Sequence, residues 1–361
     1  MQISERLPFG TGIALMMLLG VASLALAPHA YADTLTITPT FDSSITGNAN
    51  AAQIEAAINA AISTIDGLYS NKVTIPVTFS YVGLTGNTLL QTQVDGYFGH
   101  TYNDYVNLLK ADAAANPANT VLATAIAHLG TGTANTGGTN TVNGGMAIDG
   151  AQQAMLSGLT NSIEGATIAI NSNQPFALSG TADSSHYDLV GGLEHELDEV
   201  LGGGGVGSTL NTVASNTCNP TPTSPLCTQQ GSTDLYRYSA PGVGSFTSST
   251  TTTSYLSIDG GVTQIAQFNQ NGNGFPGGDF GDFAPPGGGS GQLIQNAFNF
   301  FGQDEAYTTS SPEYTMMEAI GWDPVTRTRQ VPEPSTLILL GTGLALAAFQ
   351  RRKLARREHA S

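Results

Sequence analysis

Residues 193–202 read Leu193-Glu194-His195-Glu196-Leu197-Asp198-Glu199-Val200-Leu201-Gly202. Three of the chain's 11 glutamates fall within six positions here, around one of its six histidines. On a helix, positions i and i+4 share a face, so His195 and Glu199 can hold one cation between them. Glu196 is displaced around the helix, next to water on that cation, where a carboxylate can take a proton. Ser184 or Ser185 can cap the helix, which continues through Leu201, and Gly202 lets the chain turn off it.

Outward from this segment the pattern is mixed. Leu35 to Thr38 alternates as a strand, and Asn50 can cap a helix from Ala51 to about Tyr69 with Ile54, Ile58, Ile62 and Ile65 at helical spacing. Val73 to Phe79 reads as a strand, Asn103 to Ala115 and Asn119 to Leu129 as helices, Gly130 to Gly145 as a Gly/Thr/Asn-rich loop, and Ala166 to Ile170 as a strand. Beyond Gly205, short strands at Leu235 to Tyr238, Ser254 to Ile258 and Val262 to Phe268 stand among long loops. Met316 to Ile320 suggests a last helical turn. Strands and helices in this order predict an α+β fold with a central helix and an irregular C-terminal half. The folding part is residues 33–330, an N-terminal subdomain to about residue 205 and a C-terminal one from 206 to 330.

That part carries 24 acidic and five basic side chains. Such an excess repels phosphate backbones and provides no counterion release, so the composition argues against nucleic acid as a partner. Cys218 and Cys227, the chain's two cysteines, lie in a Pro/Thr/Ser-rich stretch. In an exported chain a local disulfide is their expected state, and with no Cys-x-x-Cys a thiolate metal site is not expected.

Both ends read as addresses. Residues 1–32 combine Arg6, an apolar run from Gly12 to Ala27 and the small-x-small site Ala30-Tyr31-Ala32, the pattern of a secretory signal peptide. Residues 331–361 place Val331-Pro332-Glu333-Pro334-Ser335-Thr336 before an apolar stretch, Leu337 to Phe349, and Arg351-Arg352-Lys353. The prolines keep the motif extended, the short helix can hold it in a bilayer and the basic cluster stays cytoplasmic. This order closely resembles the PEP-CTERM sorting signal. The resemblance implies export in a Gram-negative bacterium, transient anchoring in the inner membrane by a short transmembrane helix, and cleavage by an exosortase-type enzyme. The mature protein would then go to the cell surface or extracellular matrix.

His-Glu-x-x-Glu resembles the His-Glu-x-x-His of zinc peptidases, with a carboxylate in place of the second imidazole. Nearly the whole mature chain resembles exported zincin-type metalloproteases that join this motif to a PEP-CTERM tail. Asp42-Ser43-Ser44-Ile45, Asp234-Leu235-Tyr236-Arg237-Tyr238-Ser239, Ser257-Ile258-Asp259-Gly260-Gly261 and Met317-Glu318-Ala319-Ile320-Gly321-Trp322-Asp323 carry the likeness. It implies a zincin/metzincin-like fold, a twisted mixed sheet with a central metal-binding helix, and a zinc endopeptidase acting on protein or peptide substrates. In that reading His195 and Glu199 bind Zn2+ and Glu196 is the catalytic base. Gly205 stands where a metzincin has its third histidine, so the third ligand lies elsewhere. Asp234 is the preferred candidate, with a loop-capping or calcium-binding role as its alternative. Met316 or Met317 resembles a metzincin methionine turn, with core packing as the commoner role.

Asn269, Asn271, Asn273, Asp279 and Asp282 among glycines suit a Ca2+ loop, or one without an ion. His186, His100 and His128 are expected off the metal. Residues 33 to about 180 form either the upper half of a zincin fold, which their strand-helix-strand pattern favours, or a prodomain. No Gly-x-Ser-x-Gly elbow supports a serine hydrolase. The rival reading is a non-catalytic surface or matrix protein of zincin-like fold.

Overall fold

The computed structural model describes residues 34–325 apart from 131–142, 162–163, 180, 216–224, 273–275, 286–292 and 305. The signal-peptide reading, the apolar helix of the tail and Cys218 lie outside the described residues. Among these, no helix is long and apolar enough to cross a membrane.

The N-terminal half is built on a mixed sheet. Strand β1 (Thr36–Phe41) leads through a short helix, α1 (Ser43–Thr46), capped by Asp42 on the amide of Ser44, into α2 (Ala51–Asp66). Strand β2 (Thr74–Val82) then pairs parallel to β1, β6 (Ala166–Asn171) parallel to β2, and β3 (Leu90–Val94) antiparallel to β6, giving the order β1-β2-β6-β3. Alternate residues of the inner strands, Ile75, Val77 and Phe79 on β2 and Ile168 and Ile170 on β6, are buried. They join Ile54, Ile58, Ile62 and Ile65 of α2 in one core, the spacing the sequence showed. Asn50 precedes α2, but its side chain makes no cap; Asn48 Oδ1 accepts from the Asn50 amide instead.

Between β3 and β6 the chain forms β4 (Tyr97–Thr101), α3 (Tyr102–Ala115), α4 (Thr120–His128), β5 (Gly145–Asp149) and α5 (Gly150–Leu156). Strand β4 pairs antiparallel to β5. Asn119 caps α4 on the amide of Leu122, as its position suggested. After β6, two-residue strands β7 (Phe176–Ala177) and β8 (Tyr187–Asp188) pair in parallel, and α6 (Leu189–Val200) begins. The cap of α6 is Asp188, which accepts from the amide of Val190, not Ser184 or Ser185. Those serines lie within a turn in which Asp183 accepts from Ser185 and His186, so His186 is off the helix and its side chain exposed.

Helix α6 packs against α2 and β3. Gly192 permits the approach: a Cβ there would stand 2.7 Å from Leu90 Cδ1. An interior helical glycine costs about 1 kcal/mol, offset here by burying the helix beside the sheet edge.

The C-terminal half contains α7 (Leu210–Ser215) and β9 (Gln230–Gly231), which pairs with β5. A 3-10 turn over Thr233–Tyr236 follows, then a small antiparallel sheet in the order β11-β10-β12-β13, of β10 (Arg237–Ala240), β11 (Val243–Gly244), β12 (Tyr255–Leu256) and β13 (Ala266–Gln267). Helix α8 (Pro312–Ala319) closes the fold. Its end is bound to the first half: Trp322, fully buried, donates to the carbonyl of Leu201, Asn119 donates to the carbonyl of Trp322, and Asn71 exchanges hydrogen bonds with Asp323. The architecture is α+β, and one core runs from Leu35 to Trp322.

Candidate metal centre

An acidic helix is ordinarily a solvated one, yet Glu194, Glu196, Asp198 and Glu199 of α6 are all buried. Two sets of partners receive them. On one side Asp198 accepts from the hydroxyl of Tyr307 through both oxygens, at 2.8 Å each, and Tyr69 donates to Tyr307 at 2.7 Å. On the other side stand His195, Glu196 and Glu199.

His195 Nδ1 donates to the carbonyl of Ile294 at 2.9 Å, which leaves Nε2 as the lone-pair nitrogen. That nitrogen is 3.9 Å from Glu199 Oε1 and 3.8 Å from Asp282 Oδ2. One ligand atom from each of His195, Glu199 and Asp282 lies within 4.8 Å of the others, the one such group among the described residues. Each is held from behind: Gly205 donates its amide to Glu199 Oε1 at 2.9 Å, and Gln295 donates to Asp282 Oδ1 at 3.0 Å. Oriented ligands of this kind are the usual second layer of a metal site.

The centre gathers negative charge in a dry place. Burial pushes the Asp282 carboxyl up to about 7. Asp279, nearby, is also raised to about 7, by burial and then by Asp282, with His195 opposing. Glu199 is pushed well above its usual range by burial, then by Glu196, Asp282 and Asp279. Glu196 is raised by burial too, and its Oε2 has no hydrogen-bond partner. Four carboxylates facing one imidazole, with no basic side chain among those that shift them, form a set that a divalent cation would satisfy.

Asp234 is not part of this centre. Its Oδ1 accepts from Ser208 at 2.6 Å and its Oδ2 from the amides of Thr209 and Gly231, with Arg237 as charge partner. It is buried as a scaffold for the chain after Gly205, and Asp282 takes the position expected of it. Arg237, fully buried over the Phe268 ring, donates to the carbonyl of Phe280 and so anchors the loop between Asp279 and Asp282. Asn211 holds the same loop, donating to Asp279 and accepting from the Phe280 amide.

The loop read as a possible calcium site delivers its carboxylates here instead. Asn269 and Asn271 spend their side chains inside the loop, on Asp279 O, the Asn271 and Gly277 amides and each other, and Asn273 lies outside the described residues. His100 and His128 are off the centre, bonded to Gln153 and to the Thr124 carbonyl. Gly202 does turn the chain off α6, at φ 86°. Met316 and Met317 are fully buried in the core.

Sequence reasoning placed Asp279 and Asp282 in a separate calcium loop and not beside His195 and Glu199, and it did not single out Gln295 or Ile294 as neighbours. A signal was present in Asp279-Phe280-Gly281-Asp282-Phe283, where each aspartate precedes a phenylalanine that sinks into a core, fixing the acids at the boundary.

Residues 330–353 match the PEP-CTERM protein-sorting motif. Searches of curated proteins and of solved structures each return no match. The motif implies export, transient membrane association during sorting and processing by an exosortase.

Proposed function

We propose that this exported protein is a zinc-dependent metallopeptidase of zincin-like fold that acts at the cell surface or in the extracellular matrix. The observation that carries the reading is the convergence of His195 Nε2, Glu199 and Asp282 beside the unpartnered, buried oxygen of Glu196.

The donors fit the metal. One imidazole nitrogen and two carboxylates are an accepted zinc set, and ligand atoms on a tetrahedral zinc stand about 3.3 Å apart. The separations from His195 Nε2, 3.8 and 3.9 Å, lie slightly above that, and all three ligand atoms fall within 4.8 Å of one another. A larger, oxygen-preferring divalent ion also suits two carboxylates, so the metal is chosen by supply as well as by geometry. When bound, the cation supplies Lewis acidity to a water molecule and to a carbonyl oxygen.

The chain's own groups do the rest. Glu196 accepts a proton from the attacking water as the new C–O bond forms, then gives it to the amine nitrogen as the C–N bond breaks. Burial raises its pKa, which favours uptake of the proton. Strand β3, an edge strand of its sheet, lies along α6, and Thr92 donates to the Glu196 carbonyl at 3.0 Å. An extended peptide added to that edge would pass the carboxylate.

Glu196→Gln keeps the size and removes the base, so it should retain metal while peptide cleavage falls about 100- to 10,000-fold. Cleavage at the wild-type rate would refute the role of Glu196. Metal binding with no cleavage by either protein would favour the non-catalytic surface reading.

A further inference from the structure

Gln295 is fully buried, and its carboxamide reaches into the centre. Nε2 donates to Asp282 Oδ1 at 3.0 Å and stands 3.3 Å from His195 Nε2, while Oε1 has no hydrogen-bond partner. Two features of this arrangement exceed what a supporting amide needs. Its NH2 group bridges two side chains assigned above to one cation, pairing its hydrogens with an imidazole lone pair and a carboxylate as a cation would. Its oxygen is left bare in a dry place, at a cost of about 1–3 kcal/mol.

A half turn about the terminal side-chain bond, a soft two-fold torsion, reverses both. Nitrogen and oxygen exchange places, and the oxygen then faces His195 Nε2 and Asp282 at the spacings the nitrogen now has. The 3.3 Å spacing to His195 Nε2 equals the separation of about 3.3 Å between ligand atoms sharing one zinc ion, while the 3.0 Å spacing is to Asp282 Oδ1, whose sister oxygen Oδ2 is the one 3.8 Å from His195. Beside a cation the NH2 dipole is repelled and the carbonyl dipole attracted, so metal uptake itself drives the reversal. Gly204 leaves the room: at φ 47° it has no side chain, and a Cβ there would collide with the Gln295 carboxamide.

The geometry points to Gln295 as a fourth protein ligand, its carboxamide reversing on metal uptake so that Oε1 joins His195, Glu199 and Asp282. This rests on the metal-centre reading above. In the metal-free protein the amide stands in for the ion and keeps the ligands from repelling one another.

The test is zinc affinity of the full-length protein, measured by competition with a chromophoric chelator, for wild type, Gln295→Glu and Gln295→Leu. Glutamate keeps an oxygen at the ligand position and loses the donors. It should bind zinc at least as tightly as wild type, whereas Gln295→Leu should bind at least ~10-fold more weakly. If Gln295→Glu is as weak as Gln295→Leu, the amide acts only as a donor to Asp282 and the proposal fails while the metal reading stands. It also fails if both variants bind like wild type. Absence of zinc binding by wild type sinks the metal reading and the proposal with it. Should Gln295→Glu not fold by circular dichroism, a crystal structure of zinc-loaded wild type decides. An amide end within bonding distance of zinc supports the proposal, and an amide still bonded to Asp282 and away from the ion overturns it.

Discussion

Replacing Asp282 by asparagine separates what this carboxylate costs the fold from what it does for the metal. Asp282 is 3% exposed and its pKa is raised to about 7 by burial, against about 4 in an unfolded chain. Between those values the native state holds a proton that the unfolded chain has shed. Stability therefore falls as pH rises through this window, and the loss is complete above the folded value. About three pH units at about 1.4 kcal/mol each withhold roughly 4 kcal/mol from the metal-free protein at pH 8. Asparagine still offers an oxygen to Gln295 and cannot ionise. Metal-free Asp282→Asn should thus melt roughly 8 °C above metal-free wild type at pH 8, at about 2 °C per kcal/mol. About half of that advantage should remain at pH 5.5. Zinc should close the gap: at a free concentration about 1,000 times the dissociation constant it stabilises wild type by about 4 kcal/mol, which cancels the variant's lead, and the variant far less. Differential scanning calorimetry in chelator and in zinc, at both pH values, reads all four numbers. If Asp282→Asn melts below wild type in chelator at pH 8, or gains as much from zinc, the carboxylate is a structural acceptor and the reasoning is wrong.

Other substitutions probe the supports. Arg237→Met leaves Asp234 without its charge partner and frees the carbonyl of Phe280. It should cost about 3–5 kcal/mol by denaturant unfolding, and zinc affinity should fall with it because the Asp279–Asp282 loop loses its anchor. Tyr307→Phe leaves both oxygens of buried Asp198 without a donor. A loss of about 1–3 kcal/mol with unchanged zinc affinity is expected, since the charges that act on Asp198 are those of Glu313 and Glu194 and none belongs to the centre.

Local chemistry made much of the fold legible. The isoleucines of α2 recur at helical spacing because one face is buried, and β2 and β6 alternate for the same reason. Strands β3, β4 and β5 were missed. Strand β3 is an edge strand whose three central residues, Gln91, Thr92 and Gln93, are all polar, and β5 reads Gly145-Met146-Ala147-Ile148-Asp149 with every residue buried, so neither shows a contrast between faces. In the site, His195, Glu196 and Glu199 were readable because helical spacing alone puts them together. Asp282 was not, because it arrives through bridges from Phe283 to Phe268 and Asn296 that no local spacing encodes. Asp234 drew attention as an acid in a distinctive block, but a carboxylate with both oxygens already satisfied has little left for a cation.

The hydrogen bond from Trp322 to the carbonyl of Leu201 sets an order of events. The end of the helix bearing the His-Glu-x-x-Glu segment is secured in part by a residue near the end of the folding part, and Asp282 and Gln295 are also late in the chain. A polypeptide emerging N-terminus first can pair β1 with β2 early, but it cannot assemble a metal pocket until almost everything before the sorting tail has appeared. Long-range closure of this kind folds slowly. A chain exported before it folds would therefore bring His195, Glu199 and Asp282 together outside the cytoplasm, where the proposed centre would meet only the divalent metals that compartment offers.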